Sequence, residues 1–143
     1  MARGSRWETR TLVASAARTV SGEGDVVRVL QGLQNVDAVV LVLDVTAAAT
    51  SSGDKLDVKV QVMFDGANWI DICAFAQVLG NGGPKRRVAK ILPVAAQAMF
   101  TDTALTAGNL RHLLEERMRA VWTIADAGGG VQSFTFSVTA TPA

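Results

Sequence analysis

Residues 56–64, LDVKVQVMF, carry the pattern on which the rest of the chain is built. Large apolar side chains occupy every second position, and mostly polar side chains stand between them. Because successive side chains of a strand point to opposite faces, this alternation predicts a strand with one buried face. The turn sequence DGAN follows at 65–68, and the β-rich run WIDICAF at 69–75 has a matching length. We therefore expect the two runs to pair as an antiparallel hairpin.

The composition indicates one domain that associates with another chain. The 143 residues suffice for a single core. They are 49% hydrophobic and 19% charged, which is a low charged fraction for a soluble monomer. The longest aliphatic run, 38–43, falls far short of the roughly 20 residues that a membrane-spanning helix needs. The net charge of +1 gives no reason to expect nucleic acid. We therefore expect a protein partner, no nucleic acid and no membrane.

Other segments also have strand patterns. Residues 38–45, AVVLVLDV, are aliphatic in both registers, which predicts a central strand that is covered on both faces. Residues 118–125 and 134–139 alternate on either side of a glycine-rich turn, and they predict a second hairpin. Shorter strands are predicted at 11–17, 26–31 and 87–92.

The remaining segments complete the predicted fold. Residues 109–117, NLRHLLEER, have leucines at helical spacing behind an asparagine cap and predict one short helix. Residues 77–84 contain three glycines and a proline and predict an exposed loop. Residues 1–10 lack periodicity and predict an extended N-terminal arm, so that the folded domain is 11–143. The predicted class is all-β: an antiparallel β-sandwich, jelly-roll-like, with one short helix and an extended arm.

Residue types that carry chemistry are scarce. The chain has one histidine, one cysteine and no tyrosine, so we expect no enzyme activity, no catalytic residue and no cofactor. His112 is expected to lie at the surface or an interface and not to act as a general base. Cys73 lies in an apolar strand and is expected to behave as a small buried hydrophobe. The start of the chain has no apolar core of a secretory signal, which favours production in a cytoplasm.

One group of residues leaves a second function open. Asp65, Asn68 and Asp71 surround a tight turn and could offer oxygen ligands to calcium, although turn chemistry alone explains Asp65 and we predict no metal site. Trp69 could stack on a sugar, although a core position is favoured by its neighbours. The alternative function is therefore a carbohydrate-binding β-sandwich module that uses Trp69, with calcium at Asp65 and Asp71.

The segment TAAATSSGDKLDVKVQVMFDGANWIDICAFAQVLGNGGPKRRVAKI, followed later by MRAVWTIADAGGGVQSFTFSVTATP, resembles auxiliary capsid proteins of tailed bacteriophages, which are called decoration or cement proteins. The resemblance covers most of the chain from residue 37 onward. It is carried by the GD-LDV-VQ strand at 53–61, the DG-x-x-W turn at 65–69, the GNGG loop at 80–83 and the SFTFSVTA strand at 133–140.

The resemblance implies a function and a set of partners. Proteins of this class are β-rich, are commonly trimeric, and bind the outside of the capsid between hexameric capsomers, often through an N-terminal arm. We therefore expect a homotrimer on the virion surface that bridges major capsid subunits; a head-completion or tail structural protein is the related alternative. Charge-assisted contacts and an aromatic anchor suit such an interface. The predicted capsid-binding residues are Arg3, Arg6, Trp7 and Arg10.

Overall fold

The computed structural model of this chain describes residues 8–30, 36–51, 53–93, 99–125 and 133–143. Within these ranges the chain forms β-strands and no helix. The strands are β1 (Arg10–Arg18), β2 (Gly22–Glu23), β3 (Val27–Arg28), β4 (Val39–Ala47), β5 (Lys55–Met63), β6 (Trp69–Ala74), β7 (Val78–Leu79), β8 (Lys85–Ile91), β9 (Asn109–Leu110), β10 (Arg117–Ala125) and β11 (Phe134–Pro142).

The strands form two sheets in which neighbouring strands are antiparallel. The four-stranded sheet has the order β1-β11-β4-β8. The seven-stranded sheet has the order β2-β10-β5-β6-β9, with β3 paired to β10 and β7 paired to β5. The predicted all-β class with antiparallel sheets is therefore confirmed.

A single apolar core joins the inner faces of the two sheets. Alternate residues of β4, from Val39 to Val45, and of β5, from Leu56 to Val62, are fully buried. Across the core, the rings of Trp122 on β10 and Phe136 on β11 meet edge to face, with centroids 5.6 Å apart. Since these two strands belong to different sheets, the contact joins the layers, as expected for a sandwich.

The first predicted hairpin is present. β5 pairs with β6 from Lys59↔Ala74 to Met63↔Trp69, with a bulge beside Val60. The turn is held by Asp65, whose carboxylate accepts hydrogen bonds from the backbone N–H groups of Ala67 and Asn68. The alternation in 56–64 and the DGAN turn therefore predicted this unit correctly.

The second predicted hairpin is wrong. β10 pairs with β5, β2 and β3 in one sheet, whereas β11 pairs with β1 and β4 in the other. The alternation predicted both strands, but it contains no information about which strand each one pairs with. Their apolar faces meet across the core, as the contact between Trp122 and Phe136 illustrates.

The predicted helix at 109–117 is also wrong. Asn109 and Leu110 form β9 against the edge of β6. The Arg111 N–H then donates to the Ile72 carbonyl over 2.8 Å. A helix that began here would leave the N–H groups of its first turn unpaired. In the observed structure the edge of the sheet binds these backbone groups, and this pairing stabilises the strand more than the leucine spacing would stabilise a helix.

Two smaller predictions are corrected in the same way. In the segment 77–84, Val78 and Leu79 form β7 against β5 rather than exposed loop. Of the predicted strand 26–31, residue 31 lies outside the described residues, and among residues 26–30 only Val27 and Arg28 form a strand. β4 lies in the middle of its sheet, as predicted, and the side chains of Val40 and Val42 on its outer face are half-buried.

Candidate functional site

The predicted capsid-binding residues lie at the start of the chain, where only one is placed. Arg3, Arg6 and Trp7 lie outside the described residues. Arg10 is the first residue of β1, and its guanidinium forms an ion pair with Glu8 at 3.2 Å. Arg10, the last residue of the predicted arm, thus belongs to a strand.

The outer face of the seven-stranded sheet carries a polar cavity of about 320 Å³. Lys59 and Gln61 on β5 form part of its floor, and Trp69 and Asp71 on β6 form one side. The segment 102–104 contributes a further part of the lining. Trp69 therefore lines a surface cavity and not the core, contrary to the position that its apolar neighbours favoured.

Asp71 is the centre of a hydrogen-bond network in this cavity. It is 5% exposed, and Gln61 Nε2 donates to Oδ1 over 2.7 Å. The Leu105 N–H donates to Oδ2 over 2.9 Å, and Lys59 Nζ lies 3.2 Å from the same oxygen. Burial raises the pKa of Asp71, but the hydrogen bonds from Gln61 and Leu105 and the charge of Lys59 outweigh it, so the pKa lies below the ordinary value. Asp71 is therefore a paired carboxylate.

Arg119 extends this network from β10 to Trp69. Its guanidinium carbon lies 4.3 Å from the centroid of the Trp69 ring, and Nε donates to Gln61 Oε1 over 2.9 Å. Its Nη1 also lies 3.3 Å from a Glu23 carboxylate oxygen. The cation holds the indole in place against the sheet, and it covers one face of the ring.

Arg111 supports one wall of the cavity, and the sequence did not reveal this role. It is 9% exposed, and it donates to the Asp71 carbonyl over 2.5 Å and to the carbonyls of Thr101 and Thr103 over 3.2 and 3.1 Å. These bonds attach the segment 101–103 to the outside of β6 and so build one wall of the cavity. No pattern in NLRHLLEER distinguishes this arginine from an exposed one.

The proposed calcium ligands Asp65 and Asp71 have separate partners. Both oxygens of Asp65 are used inside its own turn, where Asn68 Nδ2 donates to Oδ2 over 2.7 Å. The side chain and backbone of Asn68, together with the Ala67 N–H, hold the pKa of Asp65 below its ordinary value. Among the described residues there is no group of three histidine, cysteine or acidic side chains that could hold a metal ion.

The histidine and the cysteine each have a structural environment. His112 Nδ1 accepts a hydrogen bond from the Leu92 N–H over 3.0 Å, just beyond β8. Cys73 is buried in the core, and desolvation raises the pKa of its thiol to about 12. The thiol is therefore protonated at neutral pH, which supports its predicted role as a buried hydrophobe.

The outer face of the four-stranded sheet carries an uncharged row of side chains. One cross-strand row runs over all four strands, and its members are direct partners in the ladder. None of these side chains is charged, and Val88 is 63% exposed. Charged positions flank the row: Arg86 and Asp44 form an ion pair at 3.4 Å on one side, and Lys90 lies opposite Val40 on the other. The row consists of Thr11, Thr139, Val42 and Val88.

Comparisons with known proteins find no relative: no protein-family model matches the chain, and no curated protein or solved structure matches it significantly. Among the described residues no helix is long and apolar enough to cross a membrane.

Proposed function

We propose that this chain is a non-enzymatic structural protein of a tailed-phage virion, a decoration protein that binds outside the head and stabilises it by bridging major capsid subunits. The observation that carries the proposal is the uncharged row of side chains across the outer face of the four-stranded sheet. An apolar centre with charges at the margin is the anatomy of a protein interface. The proposed partners are two further copies of the chain and the major capsid protein, with no nucleic acid and no membrane.

We further propose that the two sheets form a jelly roll, the architecture of many viral capsid domains. The strand pairs are nested along the chain: β1 pairs with β11, β2 and β3 with β10, β4 with β8, and β5 with β6. Such nesting is what results when one long hairpin is rolled up into two layers. The pairs β11–β4 and β10–β5 then join the nested ladders side by side.

Purified particles test the proposal. Particles of a phage that encodes this chain would be banded on a density gradient and probed with an antibody against it. We expect the protein in full heads, accessible from outside, and heads from a strain lacking the gene should break at lower temperature. If the protein is detected in tails alone, the proposed position on the head is wrong and the tail alternative is supported. Absence from particles overturns the virion function altogether.

A carbohydrate-binding module is the second candidate, because Trp69 lies in the wall of a polar cavity beside Asp71 and Lys59. Aromatic faces with hydroxyl, amide and carboxylate groups around them suit a neutral sugar. Titration with a panel of oligosaccharides, followed by tryptophan fluorescence, separates the two candidates. Millimolar or tighter binding that is lost in Trp69→Ala favours the second candidate. Unchanged fluorescence over the whole panel removes it.

A further inference from the structure

The open side of the sandwich lies between β8 and β9, at the same end of the two sheets. β8 has β4 as its neighbour on one side, and its other side ends the four-stranded sheet. β9 ends the seven-stranded sheet on the corresponding side. A groove of about 440 Å³ lies between them, lined by residues of β6, β8 and β9. We name it the β8 groove; its lining includes Ala74, Ala76, Arg87, Val88, Lys90 and Leu110.

The β8 groove combines apolar surface with positive charge. Val88 and Leu110 are 63% and 42% exposed, which is high for aliphatic side chains on strands. Arg87 and Lys90 add two positive charges, and the lining contains no acidic residue. Within the described ranges, no carboxylate lies within ion-pair distance of Arg87 or Lys90. Lys85, at the start of β8, is likewise without an ion pair there.

Arg87 also has a donor that the chain leaves unused. Its Nε is buried without a hydrogen-bond partner, and its Nη2 makes only a long contact of 3.5 Å to the Gln77 carbonyl. A buried donor without an acceptor costs free energy, of the order of 1–3 kcal/mol. An acceptor brought by a binding partner would recover this cost.

The positive charge of the β8 groove indicates what kind of segment binds in it. Pairing of β8 with β8 of a second copy would bring Lys85, Arg87 and Lys90 against the same charges, which disfavours a self-association through this edge. The first ten residues carry Arg3, Arg6 and Arg10 and are disfavoured for the same reason. A segment of another protein that carries carboxylates has the complementary charge.

We propose that the β8 groove binds an extended acidic segment of a partner protein, which adds a strand to the edge of the four-stranded sheet. Backbone hydrogen bonds to the open edge of β8 supply affinity. Arg87 and Lys90 lie on opposite faces of β8, so carboxylates on both faces of the added strand supply specificity. The apolar side chains of the segment cover Val88 and Leu110. This inference deepens the proposed function, on which it rests, because it names the surface that a capsid subunit would contact.

Synthetic peptides test the groove without any phage component. The probe is the peptide VDEVEDV with blocked ends, which carries carboxylates on both faces of an extended strand, and its isosteric control is VNQVQNV. We expect the acidic peptide to bind at least about tenfold more tightly than the control, and less tightly as salt is raised. Amide NMR shifts should change mainly in β8 and around Leu110. Equal affinity of the two peptides, or shifts confined to other strands, overturns the proposal.

Two variants and a modified peptide define the mode of binding. Arg87→Gln and Lys90→Gln should each weaken binding of the acidic peptide several-fold, whereas Lys55→Gln, an exposed lysine of the other sheet, should leave it unchanged. N-methylation of alternate residues in the peptide removes backbone donors and should abolish binding. If the methylated peptide binds equally well, strand addition is wrong. Peptide binding by a protein that is absent from phage particles would refute the proposed function and leave the groove intact.

Discussion

Gly80 stands where a side chain has no room. A Cβ atom at this position would overlap the Ser51 carbonyl oxygen, and the Gly80 N–H donates to the Asp54 carbonyl over 2.8 Å. Because both contacts involve backbone, neither can move freely. We expect Gly80→Ala to lower the free energy of unfolding by about 2 kcal/mol or more, as measured by urea denaturation.

The matched control for Gly80→Ala lies two residues further on. A Cβ at Gly82 would lie 3.1 Å from the Leu79 carbonyl oxygen, which is tight but leaves room for a small shift. Gly82→Ala should therefore cost less than about 1 kcal/mol. Equal losses of stability in Gly80→Ala and Gly82→Ala would contradict the close approach of Gly80 to the Ser51 carbonyl oxygen.

Arg111 connects an irregular segment to the sheet through three carbonyl groups. Arg111→Met keeps much of the side-chain volume and removes every donor. Since hydrogen bonds from a charged group contribute about 1.5–3 kcal/mol, we expect a loss of stability of about 2 kcal/mol or more. The loss is measured by urea denaturation. Amide exchange of Leu105, whose N–H binds Asp71, should also accelerate.

The control for Arg111→Met is Arg117→Met. Arg117 is exposed, and its guanidinium makes a 4.0 Å contact with the sulfur of Met63. Its replacement should change the stability by less than about 0.5 kcal/mol. A similar effect of both substitutions would show that Arg111 does not anchor the segment.

The lowered pKa of Asp71 predicts how the free energy of unfolding depends on pH. Its pKa in the folded protein is below the ordinary value of 3.8, so the unfolded chain takes up the proton first as pH falls. The stabilisation is therefore complete above the ordinary carboxyl pKa and is lost as pH falls through the folded pKa. We expect Asp71→Asn to be less stable at pH 7 and to lose less stability between pH 4 and pH 2. Urea denaturation across this range is the measurement, and parallel curves for the two proteins would contradict it.

At the scale of elements, the structure shows which strands and strand pairings the local sequence pattern is sufficient to predict. The β5–β6 hairpin was predictable because both strands and their turn lie within twenty residues and share one face. β10 and β11 were predictable as strands, but their partners were not, because pairing depends on segments more than fifty residues away. The segment 109–117 has a helical pattern and no helix, since the edge of β6 binds its backbone.

The segment before β1 allows a test of the predicted arm. Deletion should stop at residue 7, because Arg10 already belongs to β1 and Thr9 Oγ1 lies 2.8 Å from Thr141 Oγ1. We expect the truncated protein to keep its melting temperature within a few degrees. Removal of Arg3, Arg6 and Trp7 should weaken attachment to capsids by at least about tenfold, or roughly 1.4 kcal/mol. Unchanged attachment, measured by co-sedimentation, would assign the contact to the folded domain.

At the scale of the molecule, the uncharged row on the outer face of the four-stranded sheet predicts a trimer. Light scattering of the purified protein should give three chains of 15.0 kDa. Val42→Lys places a charge in the middle of this face, and it should yield monomers because a buried lysine without a partner is costly. Thr123→Lys places the same charge on the outer face of the other sheet and should leave the trimer intact. A monomeric wild type at micromolar concentration would refute the trimer, and dissociation of both variants would place its interface elsewhere.

The sequence by itself determined the class of fold, the first hairpin and the burial of Cys73. These properties depend on local alternation of apolar residues and on turn chemistry, which neighbouring residues specify. Only the tertiary structure decided the partners of β10 and β11, the role of Arg111, the surface position of Trp69 and the β8 groove. Each of these joins residues far apart along the chain, and the free energy that selects them arises only when both segments are present.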